Sequence, residues 1–112
     1  MVVGEGSLRF DYDLRELPLG RFMFRRWRWE LWHGPVLRAS GWRTSPAHAE
    51  RALRTAAAYW AHVAVGLPPL HPEHSQAHGR FGSVVHVECG DVACVLLPRA
   101  DSNRPTFAPS VR

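Results

Sequence analysis

Apolar and polar positions alternate from Ser7 to Arg15, where Leu8, Phe10 and Tyr12 are interleaved with Arg9, Asp11 and Asp13. A period of two puts the three large side chains on one face and predicts a half-buried strand. Leu17-Pro18-Leu19-Gly20 reads as a turn, because proline fixes φ and glycine relieves the bend that follows. Alternation resumes over Arg21 to His33 as a long strand, with Trp27, Trp29 and Leu31 on one face and Arg26, Arg28, Glu30 and Trp32 on the other. Phe22 and Phe24 fall on the polar face by the same count. That requires either a bulge at Arg25-Arg26 or cover on both sides of this end of the sheet. Gly34-Pro35 closes a hairpin, and Val36 to Arg43 returns as the next strand.

The period then changes. Thr44-Ser45-Pro46 is a helix start, since a hydroxyl caps free amides and proline suits the first helical position. The helix runs to about Val65 and stops at Gly66, with Pro68-Pro69 beyond. Ala49, Leu53, Ala56, Trp60, Val63 and Leu67 recur at steps of four and three and form the predicted buried stripe. His48, Arg51, Arg54, Thr55, Ala58 and His62 lie away from it and face water. Leu67 to Arg80 is a proline- and histidine-rich loop. Phe81 to Val87 and Val92 to Leu97 are β-branched strands joined around Cys89-Gly90-Asp91.

These elements predict an α+β fold in the order β-β-β-α-β-β: an antiparallel sheet of four to five strands with one long helix packed on one face. Residues 1–97 form a single domain and 98–112 a flexible tail. The core comprises the helix stripe with Leu8, Phe10, Tyr12, Trp27, Trp29, Leu31, Val85 and Val87. One helix leaves part of five strands uncovered, so leftover aromatic surface points to a homodimer.

Composition agrees with a packed domain: 46% of residues are apolar, 21% charged and 11% aromatic. Charge changes the picture more. Between Arg21 and Arg54 stand eight arginines against two acids, with Trp27, Trp29, Trp32 and Trp42 among them, within a net charge of +4 for the chain. A local positive field of this kind concentrates polyanions. All fourteen basic residues are arginine, and lysine and isoleucine are absent, as a GC-rich coding sequence would produce. Arginine nevertheless supplies a planar donor fork suited to phosphate and guanine edges, and it stacks on aromatics.

A three-stranded sheet can lie in the DNA major groove while its other face rests on a helix. On that reading Arg26, Arg28, Arg38 and Arg43 reach the duplex, Trp32 and Trp42 stack or brace, and Arg51 and Arg54 extend the basic surface onto the helix. The same arginines on a solvated sheet face would stack on tryptophans for packing alone. Trp27-Arg28-Trp29-Glu30-Leu31, Leu37-Arg38-Ala39-Ser40-Gly41-Trp42-Arg43-Thr44 and the alanine-rich segment 47–56 resemble the N-terminal arm-binding domain of tyrosine-recombinase integrases. They are also similar to a small bacterial strand-strand-helix domain of unknown function. The first resemblance, over residues 27–57, implies DNA binding by a strand pair followed by a helix.

His71, His74 and His78 offer imidazoles for zinc, but they stand on a loop with no fixed backbone to set ligand distances, and the five-residue step from Cys89 to Cys94 matches no common zinc motif. The expectation is a polar loop with no metal and no cofactor. The two cysteines would face each other across a four-residue hairpin loop, and in a reducing compartment they stay thiols. No phosphate-binding glycine loop, nucleophile elbow or HExxH pair occurs, so no enzyme is predicted. Met1 to Leu8 lacks a secretory signal, and the stretch from Thr55 to Leu70 is too broken to span a bilayer, which predicts a cytoplasmic protein. The reading is a small non-enzymatic protein, from a phage or mobile element, that grips duplex DNA through an arginine-rich sheet face. Its alternative is an interaction module, a phage-encoded inhibitor or assembly factor, docking the same basic aromatic surface on an acidic protein.

Overall fold

The structure, a computed structural model, describes residues 8–99. Six strands form one mixed sheet, with a single helix on one face. The chain lays down β1 (Leu8–Leu17), β2 (Arg26–His33) and β3 (Val36–Arg43) as an antiparallel meander, and then crosses the sheet as α1 (Pro46–Ala64). It returns through β4 (Gln76–Gly79), β5 (Val85–Cys89) and β6 (Val92–Pro98), a second antiparallel meander that ends in the centre. There β6 meets β1 in parallel, Phe10 opposite Leu96 and Tyr12 opposite Pro98.

The α+β class and the helix on one face agree with the sequence; a purely antiparallel sheet of four to five strands does not. The parallel pair follows from the second meander starting at the far edge of the sheet. The extra strand, β4, lies inside the histidine-rich segment and is only four residues long, too short to announce itself by periodicity. Nineteen residues of helix reach about 28 Å, and six strands span about 24 Å. Accordingly α1 touches β1, β2, β3, β5 and β6, and one helix suffices for this face.

The buried helix stripe is rotated from the predicted one. Ala49, Leu53, Ala57, Ala58, Ala61 and His62 are buried, whereas Ala56 and Trp60 are partly buried and Val63 and Leu67 are exposed. Alanines let the helix lie close to the large side chains of the sheet: Phe10, Tyr12, Leu31, Val85, Val87 and Leu96. His62, expected in water, is buried with Nδ1 2.8 Å from the Ala58 carbonyl. Since a carbonyl only accepts, Nδ1 carries the proton. The helix ends are built as their residues predict. Ser45 Oγ accepts from the His48 amide. At the other end Gly66 takes φ +78° while the Leu67 and Gly66 amides donate to His62 and Val63, closing a Schellman turn.

Arg21–Arg25 is a loop, so neither device proposed for Phe22 and Phe24 is used. Leu17 pairs with Arg26, and the residues between them make turns in which the Phe22 amide donates to Leu19 and the Phe24 amide to Phe22. The irregularity falls instead between Leu31 and Trp32, opposite Arg38. Phe81–Val84 likewise precede β5 rather than joining it, and the Tyr12 hydroxyl holds them by donating to the Ser83 carbonyl and accepting from the Gly82 amide. Cys89 pairs with Val92 across a two-residue loop, so it does not oppose Cys94. Both thiols are free and buried, and burial pushes the Cys94 thiol up to about 12. Pro98 and Arg99, assigned to the tail by sequence, belong to the fold; residues 100–112 lie outside the described residues. No helix among the described residues is long and apolar enough to cross a membrane.

Candidate functional site

The register divides the predicted arginines between two surfaces. On the open sheet face, away from α1, Arg28 lies opposite Arg15 and Trp42, and Glu30 lies opposite Asp13 and Ser40. Like charges directly opposed repel, and acids interleaved along each strand offset this. Arg28 Nε donates to Glu30 at 2.8 Å, and Arg15 bonds Asp13. Arg9 and Arg99 flank Asp11, whose carboxylate is almost fully covered. Trp32 donates to the second oxygen of Glu30 at 3.0 Å, and its ring is capped by the Arg99 guanidinium at 3.8 Å. Burial acts to raise the pKa of Glu30, but the bonds from Arg28 and Trp32 and the nearby Arg28 and Arg15 charges outweigh it and hold the carboxyl below its ordinary value.

Arg26 is also engaged. It donates to the Pro18 carbonyl at 2.8 Å, and its guanidinium sits 4.2 Å over Phe22 and 5.9 Å from the exposed ring of Trp42. The predicted DNA face is therefore a lattice of arginines beside carboxylates and rings, in which Arg9 and Arg99 share Asp11 and Arg26 meets only a carbonyl and rings.

Arg38 and Arg43 do not join it. The bulge turns Arg38 to the helix side, where its guanidinium lies 4.9 Å over Trp60. Arg43 pairs with Trp27, whose neighbours at steps of two, Trp29 and Leu31, pack beneath α1. On this side β2, β3 and α1 enclose a cleft of about 560 Å³. Its helical wall is the stripe His48, Arg51, Thr55 and Tyr59, spaced by three or four residues so that all four face the same way. Trp29 and Arg43 from the sheet, Trp60 from α1 and Pro72 also line it.

The Trp29 indole lies across Gly41, where an added Cβ would fall 3.0 Å from its Nε1. Glycine at 41 thus makes room for the ring that backs the cleft. No carboxylate lines the cleft, and among the described residues neither Arg43 nor Arg51 forms an ion pair. The first turn of α1 carries no acid either, so the positive end of the helix dipole is uncompensated beside His48.

Of the eight residues singled out by sequence, the cleft gathers Arg43 and Arg51; Arg38 lies beside it on Trp60; Arg26, Arg28, Trp32 and Trp42 remain on the sheet face. Arg54 serves as a tie, donating to Ser75 Oγ at 3.0 Å and to the Glu73 carbonyl at 3.1 Å, and it also lines a second, polar cleft with Arg51, Glu50 and Arg80. His48, Tyr59 and Trp60 were not among the eight. His48 stood in the predicted water-facing set and Tyr59 did not, and nothing local shows that β3 would border them. The histidine trio is also regrouped: His78 sits 3.7 Å from Glu88, while His71 and His74 converge on Glu73. Comparison of the chain with protein-family models, with curated proteins and with solved structures finds no match.

Proposed function

We propose that the chain is a small non-enzymatic nucleic-acid-binding module whose contact surface is the helix-side cleft rather than the open sheet face. The observation that carries this reading is the contrast in pairing. Arg43, which donates to the Trp42 carbonyl at 2.8 Å, and Arg51 have no carboxylate partner among the described residues and stand beside an exposed aromatic ring, Tyr59; on the sheet face Arg26 also lacks one, whereas Arg9, Arg15, Arg28 and Arg99 each lie beside an acid. Unpaired guanidinia meet phosphate without first giving up an ion pair. A concave site with one accessible ring suits an unpaired base and its flanking phosphates better than the flat side of a duplex. The resemblance to integrase arm-binding domains falls on the segment that supplies two walls of this cleft.

The test is fluorescence anisotropy with labelled single-stranded and duplex oligonucleotides at several salt concentrations. Single strands should bind more tightly. Neutralising two to four phosphates gives a slope of log K against log salt of about −1.4 to −2.8. The double change R43A/R51A should flatten that slope by about 1.4, while R28A leaves it unchanged. Absence of binding at low salt, or sensitivity to R28A alone, overturns the proposal.

A second reading is supported by one surface feature. Phe22, Met23, Phe24 and Trp42 are all exposed at one end of the open sheet face, with Arg26 among them. Aromatic and arginine side chains dominate protein interfaces, so this patch would serve an interaction module or a homodimer. Trp32, capped by Arg99, would contribute less than Trp42. Sedimentation of the parent and of F22A/F24A separates self-association from a monomer.

A further inference from the structure

His71-Pro72-Glu73-His74 folds as one 3-10 turn over Pro72–His74, and its backbone is fixed from several sides. The His74 amide donates to His71 and the Ser75 amide to Pro72. Arg54 reaches from α1 to both the Glu73 carbonyl and Ser75 Oγ. The Cys89 thiol lies 3.6 Å from the His71 carbonyl. The missing fixed backbone that told against a metal in the sequence is therefore present.

Within this turn His71 is left-handed, with φ 52° and ψ 49°, and is the one non-glycine among the described residues at positive φ. Such a conformation is strained for a residue with a side chain and tends to mark functional positions. Its result here is geometric. The His71 and His74 rings stack 5.3 Å apart and 11° from parallel, and Glu73 Oε2 lies 3.7 Å from His71 Nδ1 and 4.0 Å from His74 Nε2. One ligand atom from each of the three residues falls within 4.8 Å of the others.

From this arrangement we infer that His71, Glu73 and His74 bind a divalent transition-metal ion of the zinc class. Two imidazole nitrogens and one carboxylate oxygen are the donor set that zinc takes, and tetrahedral bonds of about 2.0–2.1 Å place ligand atoms about 3.4 Å apart. The observed separations exceed that by little more than an ångström, and the three side chains are exposed enough to draw in by rotamer adjustment. Three protein ligands leave the fourth position to water. Pro72, between two ligands, lines the helix-side cleft, so the ion adds positive charge near its rim. The metal site itself does not depend on what the cleft binds.

The experiment uses the full chain without a histidine tag, stripped with chelator and titrated with zinc by calorimetry, and with cobalt for the visible bands of a four-coordinate ion. One equivalent should bind with a Kd of about 10 µM or tighter. H71A, H74A and E73Q should each weaken it at least about tenfold, with circular dichroism unchanged, while H78A binds as the parent does. No binding at 100-fold higher zinc, affinity indifferent to the three substitutions, or equal loss in H78A overturns the inference.

Discussion

Removing one oxygen, in Tyr12→Phe, measures how firmly the loop before β5 is held to the sheet. Tyr12 is 2% exposed. Its hydroxyl donates to the Ser83 carbonyl at 2.7 Å and accepts from the Gly82 amide at 2.7 Å, joining segments some seventy residues apart. The ring also meets Phe81 edge-on at 5.5 Å, a contact that phenylalanine keeps, so the substitution opens no cavity. What is lost is two hydrogen bonds, each contributing about 0.5–1.5 kcal/mol net. Because Gly82 and Ser83 are exposed, water recovers part of this, and the expected destabilisation is about 1–2 kcal/mol. For a domain of this size that lowers Tm by about 4–8 °C per kcal/mol. Urea unfolding should show the midpoint falling with m unchanged, and hydrogen exchange should show the Gly82 amide losing protection. Stability within about 0.5 kcal/mol of the parent, with Gly82 exchange unaltered, would refute the hydroxyl as the anchor.

Two further outcomes follow from the same packing. Gly79→Ala should be more costly than an ordinary surface change. Gly79 has φ +117°, and an added Cβ would fall 2.6 Å from the Val84 carbonyl oxygen, so thermal unfolding should show a loss of at least about 1–3 kcal/mol, and an unshifted Tm would contradict it. Glu30 titrates below its ordinary value in the folded protein, so its contribution is present above the unfolded-state pKa and is lost as pH falls through the folded one. Urea midpoints followed into acid should therefore decline more steeply for the parent than for Glu30→Gln, and parallel curves would rule the contribution out.

Strand and helix positions were legible wherever one face is buried against one neighbour. Leu8, Phe10 and Tyr12, the Trp27-Trp29-Leu31 series and the caps at Ser45 and Gly66 each follow from local rules that the fold respects. Pairing partners were not legible, because alternation is the same whether the adjacent strand is parallel or antiparallel. Hence β6 beside β1 could not be read from Val92–Pro98. The helix stripe was misjudged for a related reason. A count of large apolar residues selects Trp60, Val63 and Leu67, whereas close approach to a sheet already carrying Phe10, Trp29 and Leu31 selects alanine. The loop Arg21–Arg25 continues the strand pattern of its neighbour but has no partner, since β1 ends at Leu17 and the next residue, Pro18, has no amide to give.

The site was half legible, and the missing half is pairing as well. Counting arginines against acids over a linear window shows an excess of cations between Arg21 and Arg54. It does not show that β1 and Arg99, outside that window, add their own acids and arginines to the same face. Asp13 sits opposite Glu30 and beside Arg15, and Asp11 lies one strand from Trp32 between Arg9 and Arg99, so the sheet brings two further carboxylates and three further arginines, paired with one another, onto the face that looked most basic. The helical cations escape this. Arg51 has His48 and Thr55 as its lining neighbours on α1, and the strand end that reaches it carries Arg43 rather than an acid. Arginines spread over strands thus meet whatever carboxylates the neighbouring positions carry, while Arg51 on the helix has no carboxylate beside it in the cleft. That difference in local pairing is what the proposed helix-side cleft rests on.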